Sequence, residues 1–342
     1  MNFRVLFIGF GTVGQGLAEL LLEKADLIKK NYGTEFSVVG ISDSLKGSVY
    51  SRDGLDLALL LDSAEKELSL SSLPQSFEGG ALDMIENAEA DVVLEATYTD
   101  IKTGEPATSH IRSALEKGKH VITTNKGPLA LNYHELKALA EKKGVEFLFE
   151  GTVMSGTPVL NLLRETLAGS SITEIKGILN GTTNYILTRM EEGLTYEAAL
   201  SKAQELGYAE AVPDADVLGW DALAKVTILA KVVFGAQADP FDFACEGITK
   251  ITTAAMEEAR NRQKRFKLIG RVWMDSGLVK ASVFPEEIDL SHPLAGVMGA
   301  TNALTISSDT LGDVTIVGPG AGRRETGFSM LVDLLKIAGG QK

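Results

Sequence analysis

Short apolar runs that stop at glycine alternate along the first 150 residues with stretches whose apolar positions recur every three or four residues. FRVLFI (3–8) reads as a buried strand. Residues 12–30 follow with Val13, Leu17, Leu20, Leu21 and Ala25 at helical spacing. SVVGISD (37–43) is a second strand, and 45–75, with Gly47, Gly54 and a Ser/Leu-rich patch, reads as loops around a short helix near 55–62. ADVVLEAT (90–97) is a strand, ATSHIRSALEKGKH (107–120) a helix closed by Gly118, and HVITTNK (120–126) another strand. YHELKALAEKKG (133–144) is a helix ending in glycine, and EFLFEGTV (146–153) the next strand. This rhythm predicts an α/β fold: parallel βαβ units in a Rossmann-type doubly wound sheet.

After 150 the texture changes. Long helical patterns fill 151–240, strands such as LVKASVFPE (278–286) and NALTISSD (302–309) fill 270–318, and ETGFSMLVDLLKIAGG (325–340) is a terminal helix. The expectation is a nucleotide-binding domain over 1–133 and 320–342, and an α+β domain over 134–319.

The first strand runs into GFGTVG, with glycines at 9, 11 and 14. In a strand–turn–helix context Gly9 permits the tight turn, Gly11 lets backbone approach a pyrophosphate, and Gly14 lets helix pack close to sheet. The N–H groups of the following helix then face the phosphate. The cofactor expected is NAD or NADP. Asp43 ends the second strand, where an acid binds ribose hydroxyls, although its 29-residue distance from Gly14 exceeds the usual gap of roughly 20. Asp43 favours NAD; Ser44, Lys46 and Arg52 nearby could admit NADP, and both cofactors stay open.

Composition narrows the field. At roughly 150 residues per domain, 342 residues make about two domains. The formal charge of −13 argues against general nucleic-acid or anionic-membrane binding. EEARNRQKRFK (257–267) is locally basic, but Glu258 and Arg262 at i,i+4 suit a solvated helix face. A lone cysteine, Cys245, excludes an internal disulfide and a Cys-based zinc site, and fits a reducing cytoplasm. Histidines 110, 120, 134 and 292 form no metal-spaced pair. No run reaches the ~18 apolar residues of a spanning helix. The apolar start could pass for a secretory signal, but its glycine spacing and the charged helix after it favour the phosphate loop.

The second half holds the acid–base candidates. ELGYAEAVPDADVLGWDALAK (205–225) packs Glu205, Glu210, Asp214, Asp216 and Asp221 ahead of Lys225. If WDALAKVTILAKVV is helical, Asp221 and Lys225 share a face. That pairing alone could be an ordinary surface ion pair. The density of acids around one lysine points instead to a cationic substrate such as an ammonium. Reduction of an aldehyde needs a hydride, which a nicotinamide supplies, and a proton donor from the protein. Lys225 and Lys126 are better placed than any histidine. Lys126 stands in TTNKGPLA at a strand's C-terminal end, where open α/β sheets bind ligands, or is simply a surface lysine. EGTVMSGTPVLNLL (150–163) makes an irregular turn whose carbonyls could ligate a hard monovalent cation. GILNGTTNYIL (177–187) sets Asn180, Gly181, Thr182 and Thr183 ahead of an apolar helix, as a carboxylate site or as an N-cap.

GFGTVG, TTNKGPLA, EGTVMSGTPV, GILNGTTNYIL, AQELGYAEAVPDADVLGWDALAK and the closing GPGAGRRET occur together in an order that resembles homoserine dehydrogenases across essentially the whole chain. The resemblance implies NAD(P)-linked interconversion of L-homoserine and L-aspartate 4-semialdehyde, in threonine, methionine and isoleucine biosynthesis. It implies Lys225 as proton donor or acceptor, with Lys126 close to nicotinamide and substrate. Glu210, Asp216, Asp221, Thr182 and Gly181 would bind substrate. Gly9, Phe10, Gly11, Thr12, Val13, Gly14, Asp43, Thr97, Lys126 and Gly322 would bind the cofactor. Glu150, Val153, Ser155 and Thr157 would surround a sodium ion, largely through carbonyls. A homodimer through the second-domain sheet is also implied. Val212 stands where the family's acidic loop usually reads GYAEADP. No ACT or aspartate kinase segment follows the terminal helix, so threonine control through one is not expected. An aspartate-semialdehyde dehydrogenase would need a thiol nucleophile in a glycine-rich turn, and Cys245 is not in one. A non-catalytic dinucleotide sensor would need neither lysine.

Overall fold

The computed structural model describes residues 1–340. The chain forms two compact units, one from Met1–Gly156 with the segment from Gly322 onward, the other Thr157–Ala321.

In the first unit β1 (Asn2–Ile8), β2 (Glu35–Asp43), β3 (Gly47–Tyr50), β4 (Val92–Glu95), β5 (His120–Thr123) and β6 (Phe147–Leu148) form one sheet. Its order is β3-β2-β1-β4-β5-β6, parallel except for the antiparallel edge strand β3. This is the strand order of a dinucleotide-binding doubly wound sheet. The helices are α1 (Thr12–Glu23), α2 (Ala25–Tyr32), α3 (Leu57–Glu65), α4 (Ala81–Asn87), α5 (Ala107–Glu116), α6 (Lys126–Lys143) and the single turn α7 (Gly151–Met154). The strands are apolar on both faces because helices cover both, so Val5, Phe7, Ile41, Leu94 and Ile122 are buried with Leu17 and Leu20 of α1. The terminal helix returns to this core and buries Met330, Leu331, Leu334 and Ile337.

The structure departs from the sequence reading in several places here, among them the expected strand 146–153, which is a strand only over Phe147–Leu148 before α7 begins at Gly151. The expected helix 12–30 is broken at Lys24, whose φ and ψ are −100° and 4°. Nothing between Leu21 and Ile28 is buried, so no continuous apolar stripe holds one helix together. β3 forms where loop was expected, with the Ser48 hydroxyl 2.9 Å from that of Ser42; four residues of Gly, Ser, Val and Tyr carry too little periodicity to announce a strand. α6 begins at Lys126 rather than 133, because Asn125 caps it by accepting a hydrogen bond from the Gly127 N–H at 3.2 Å. Pro128 is then tolerated in the first helical turn. This helix crosses the expected 133/134 domain boundary, and β6 pairs with β5, so 134–156 belong to the first unit.

The second unit is a mostly antiparallel sheet of order β12-β11-β7-β9-β10-β8, with only β8 parallel to its neighbour. Its strands are β7 (Ile172–Ile178), β8 (Ala244–Cys245), β9 (Lys264–Asp275), β10 (Leu278–Asp289), β11 (Thr301–Ser308) and β12 (Gly312–Pro319). Its helices are α8 (Gly181–Glu191), α9 (Tyr196–Glu205), α10 (Asp214–Val217), α11 (Trp220–Phe234) and α12 (Thr253–Asn261); α13 (Arg323–Gly340) is the terminal helix of the first unit. α11 is almost entirely apolar and buries ten consecutive residues from Ala222 to Lys231. The basic run 257–267 is not one helix face: α12 ends at Asn261 and β9 starts at Lys264. The Arg262 guanidinium pairs with Glu287 at 2.6 Å, reaching only the backbone carbonyl of Glu258.

Lys267 is the exception within that run, at 1% exposure. Its Nζ donates to Asn184 Oδ1 at 2.8 Å and to the Val297 carbonyl at 2.5 Å. The Asn184 amide in turn donates to the carbonyls of Val297, Gly299 and Thr301. Burial, with the nearby positive charge of Arg265, pushes Lys267 down to about 8. Between that value and the ordinary lysine range the unfolded chain binds more protons than the folded one, so this group makes stability rise with pH. Lys267→Met removes donors from buried acceptors and lowers unfolding stability by about 1–3 kcal/mol. Urea titrations from pH 8 to 10 check both points. The gap to wild type widens across that window; a constant or narrowing gap contradicts the assignment.

Candidate active site

The loop after β1 has the geometry a pyrophosphate needs. Gly9 has φ +91°, and a Cβ there would lie 2.5 Å from the Ala96 carbonyl oxygen. Gly14 packs so closely that a Cβ would sit 2.7 Å from the Gly9 carbonyl. At Gly11 a Cβ would meet no protein atom within 4 Å, and this N-cap has no side-chain cap on α1. The first-turn N–H groups therefore remain available to an anion. Thr12 is exposed beside them, and Val13 is half-buried against the core.

Asp43 does more than end β2. Its Oδ2 accepts the Phe10 N–H at 2.7 Å, and its Oδ1 accepts those of Leu45 and Lys46, each at 3.0 Å. Burial works against the charged form, but these three donors outweigh it and hold the carboxyl below its ordinary range. The acid is thus ionised at neutral pH and tied to the glycine loop. The Phe10 ring is fully buried edge-on to Phe7, so its backbone rather than its ring borders the loop. Arg52 is turned to Glu89 at 3.1 Å.

At the C-terminal ends of β4 and β5, Glu95 is completely buried. It accepts the Thr97 N–H at 3.1 Å and the Thr123 hydroxyl at 3.0 Å, and also binds the Thr97 hydroxyl. Asn125 Nδ2 donates to the Tyr98 carbonyl at 2.9 Å while its Oδ1 caps α6. This network fixes Thr97 and sets half-buried Lys126 at the first helical position. Gly322, at φ +141°, leads into α13, where its carbonyl accepts the Thr326 N–H at 3.0 Å. The sequence reading passed over Glu95 and Asn125; the signal was a carboxylate inside the apolar run VVLEAT.

Glu150, Val153 and Ser155 lie on and around α7, and Thr157 opens the second unit. Ser155 adopts φ +53°, and its hydroxyl is 2.7 Å from that of Thr326. Thr157 Oγ1 donates to the Pro319 carbonyl at 2.9 Å. A four-residue helical turn leaves its last carbonyls without intrahelical donors, and oxygen donors suit a hard cation. Among the described residues no cluster of three His, Cys, Asp or Glu is arranged for a metal.

In the second unit the acids and the lysine converge. Lys225 is 7% exposed, and its Nζ donates to Asp221 Oδ2 and to the Leu179 carbonyl, both at 2.7 Å. The i,i+4 spacing on α11 makes the pair, and the end of β7 supplies the carbonyl. Asn180, which caps α8, donates its Nδ2 to Asp216 Oδ1 at 2.6 Å and to Asp221 Oδ2 at 2.9 Å. Burial, then the negative charge of Asp221, pushes the Asp216 carboxyl above its ordinary range. Thr182 Oγ1 donates to the Tyr208 carbonyl at 2.6 Å. Gly181 is packed so that a Cβ would lie 2.6 Å from the Ala300 carbonyl. Glu210 stands apart: its side chain is exposed in the turn after α9, and its backbone carbonyl accepts Gln204 Nε2 at 3.0 Å. Cys245 donates weakly to the Leu218 carbonyl at 3.5 Å, and burial pushes its thiol up to about 11. A thiol so held is no thiolate nucleophile. Among the described residues no helix is long and apolar enough to cross a membrane.

Comparison with known proteins agrees with this division of labour. The sequence profile described as homoserine dehydrogenase, NAD binding domain, matches residues 9–150, and that described as homoserine dehydrogenase matches 158–335. The NAD(+)-dependent homoserine dehydrogenase of Pseudomonas canavaninivorans is 46% identical over 98% of this chain and 96% of its own length. The homoserine dehydrogenase of Methanocaldococcus jannaschii is 43% identical over 97% and 98%. A hyperthermophilic archaeal homoserine dehydrogenase solved in complex with NADPH superposes with a TM-score of 0.85, at 31% identity, over 98% of each chain. With the two profiles matching 9–150 and 158–335 and relatives of this identity aligned over nearly their full length, the chain belongs to the homoserine dehydrogenase family.

Proposed function

We propose that this chain interconverts L-homoserine and L-aspartate 4-semialdehyde with a nicotinamide dinucleotide, and that Lys225 moves the proton. The observation that carries the assignment is a buried lysine amine held by one carboxylate and one carbonyl, beside a second carboxylate. When bound, the dinucleotide accepts or supplies the hydride. In the oxidative direction neutral Lys225 Nζ takes the hydroxyl proton as carbon loses hydride; in reduction the ammonium returns that proton to the aldehyde oxygen. Asp221 and the Leu179 carbonyl fix Nζ and leave one of its three hydrogens or its lone pair for the substrate. Asp216 and Asp221, with Glu210, supply negative charge toward the amino group, and Thr182 and Gly181 line the substrate's place. Lys126 adds positive charge at the sheet's C-terminal end.

The cofactor side follows from Asp43. Its ionised carboxylate at the end of β2 opposes a 2′-phosphate, and Arg52 is occupied by Glu89, so we assign the chain a preference for NAD. The glycine loop, Thr12, Val13, Thr97, Lys126 and Gly322 belong to the dinucleotide's surroundings. A sodium ion near Glu150, Val153, Ser155 and Thr157, a homodimer through the second-unit sheet and a cytoplasmic setting are part of the same reading. Amino-acid biosynthesis follows from the reaction.

Three measurements check it. Lys225→Ala lowers kcat for homoserine oxidation by roughly 10²-fold or more while NADH still binds in a fluorescence titration; wild-type turnover removes the lysine from this role. Initial rates with each cofactor give a kcat/KM at least tenfold higher with NAD, corresponding to about 1.4 kcal/mol; parity or a preference for NADP overturns the Asp43 argument. Glu210→Leu raises the homoserine KM severalfold with kcat within about twofold, as loss of binding shared by ground and transition states does; an unchanged KM takes Glu210 out of the substrate's surroundings.

A further inference from the structure

We propose that Asn180 is a positioning residue for the Asp221–Lys225 pair, its single amide capping α8 with one end and bridging two carboxylates with the other. The assignment rests on the proton-transfer role given to Lys225. It starts from how every polar atom of that side chain is used. Oδ1 accepts the Thr183 N–H at 2.8 Å and the Thr183 hydroxyl at 2.9 Å. Nδ2 donates at 2.6 Å to Asp216 and at 2.9 Å to Asp221. The opposite amide orientation would turn an acceptor toward two carboxylates and a donor toward an N–H, so the network permits only one. Asn180 is 4% exposed, which leaves little water to replace these bonds.

The oxygen of Asp221 that takes the Asn180 hydrogen is the same Oδ2 that binds Lys225 Nζ. One neutral donor thus shares the carboxylate with the lysine and holds it from the side of α8. The charged groups recorded against this amide are Asp216 of α10 and Asp221 of α11; Lys225 of α11 faces it across the shared oxygen. Without the Nδ2 hydrogens, the Asp216 and Asp221 carboxylates lose the donor they share, and their repulsion is no longer offset by it. The less neutralised carboxylate beside Lys225 Nζ then favours the protonated form of the lysine. Homoserine oxidation, which needs the neutral amine, must then move to higher pH.

Capping and bridging can be separated because Asn, Ser and Asp are all good N-caps. Asn180→Ser keeps a cap oxygen and deletes the bridge. Asn180→Asp keeps the cap and sets a third carboxylate where the donor was. With both variants folded by circular dichroism and thermal melting, kcat and kcat/KM for homoserine oxidation are measured from pH 6 to 11. The expected result is a melting temperature within a few degrees of wild type and kcat at least tenfold lower. The rising limb of the profile moves to higher pH, further for Asp than for Ser. Two variants with wild-type kcat and an unshifted profile reduce Asn180 to a helix cap and overturn the proposal. So does a loss of activity that tracks a loss of melting temperature with the profile unmoved. Lys225→Ala assayed alongside separates the two claims: a collapse there with normal Asn180 variants sinks only this inference, whereas normal turnover in Lys225→Ala sinks the reading beneath it.

Discussion

A lysine amine buried on an apolar helix can stay in place only if something nearby answers its charge. In this protein that answer is Asp221, one helical turn back on α11, together with the carbonyl that ends β7. Removing a charge from water costs several kcal/mol even after relaxation, and a paired charge regains this only when its hydrogen bonds are well placed. Much of the second unit's local architecture follows from that requirement. α11 must be apolar enough to bury the lysine, the end of β7 must turn its Leu179 carbonyl inward, and Asn180 must cap α8 immediately after it. The acids cannot all be ionised at ordinary cost, and the raised carboxyl of Asp216 is where that tension is recorded. Under the proposed function, an ammonium-bearing substrate would relieve it.

The first unit obeys a different constraint, the approach of backbone to a polyanion. It is met with three glycines, each excluded from carrying a side chain for a separate steric or conformational reason, or left open for the ligand. Asp43 joins this to the proposed cofactor choice, since the carboxylate at the end of β2 also holds the Phe10 N–H. A change of cofactor preference by mutation at 43 would therefore disturb the loop as well as the charge. Glu95 has a comparable place at the ends of β4 and β5, where one buried carboxylate gathers Thr97 and Thr123. Both units use a carboxylate that gathers protein donors, Glu95 in the first and Asp221 in the second.

Much of this was legible in the residues. Strands buried on both faces announce themselves as VLFI, VVL and HVIT, and the glycine spacing fixed the phosphate loop. The i,i+4 relation of Asp221 to Lys225 needed only a helix to become a contact. What escaped had physical causes. α6 begins early because its signal is an Asn cap in TTNKGPLA, which reads as a loop until the cap is recognised. β3 is too short for periodicity, and the basic run at 257–267 spans a helix end and a strand start, with Lys267 buried by Asn184 and Val297, 83 and 30 positions away along the chain. Tertiary hydrogen bonds of this kind leave no periodic trace. Phe10 and Glu210 show what spacing alone does not fix: one ring is buried in the core and the other side chain is exposed.

The most direct test is a crystal structure of the protein with homoserine and a dinucleotide bound. The account predicts the homoserine hydroxyl oxygen within hydrogen-bond reach of Lys225 Nζ, about 2.6–3.2 Å, with the ammonium facing carboxylates of the Asp216–Asp221 group. A hydroxyl bound away from Lys225, with that amine still engaged only by Asp221 and the Leu179 carbonyl, would contradict it.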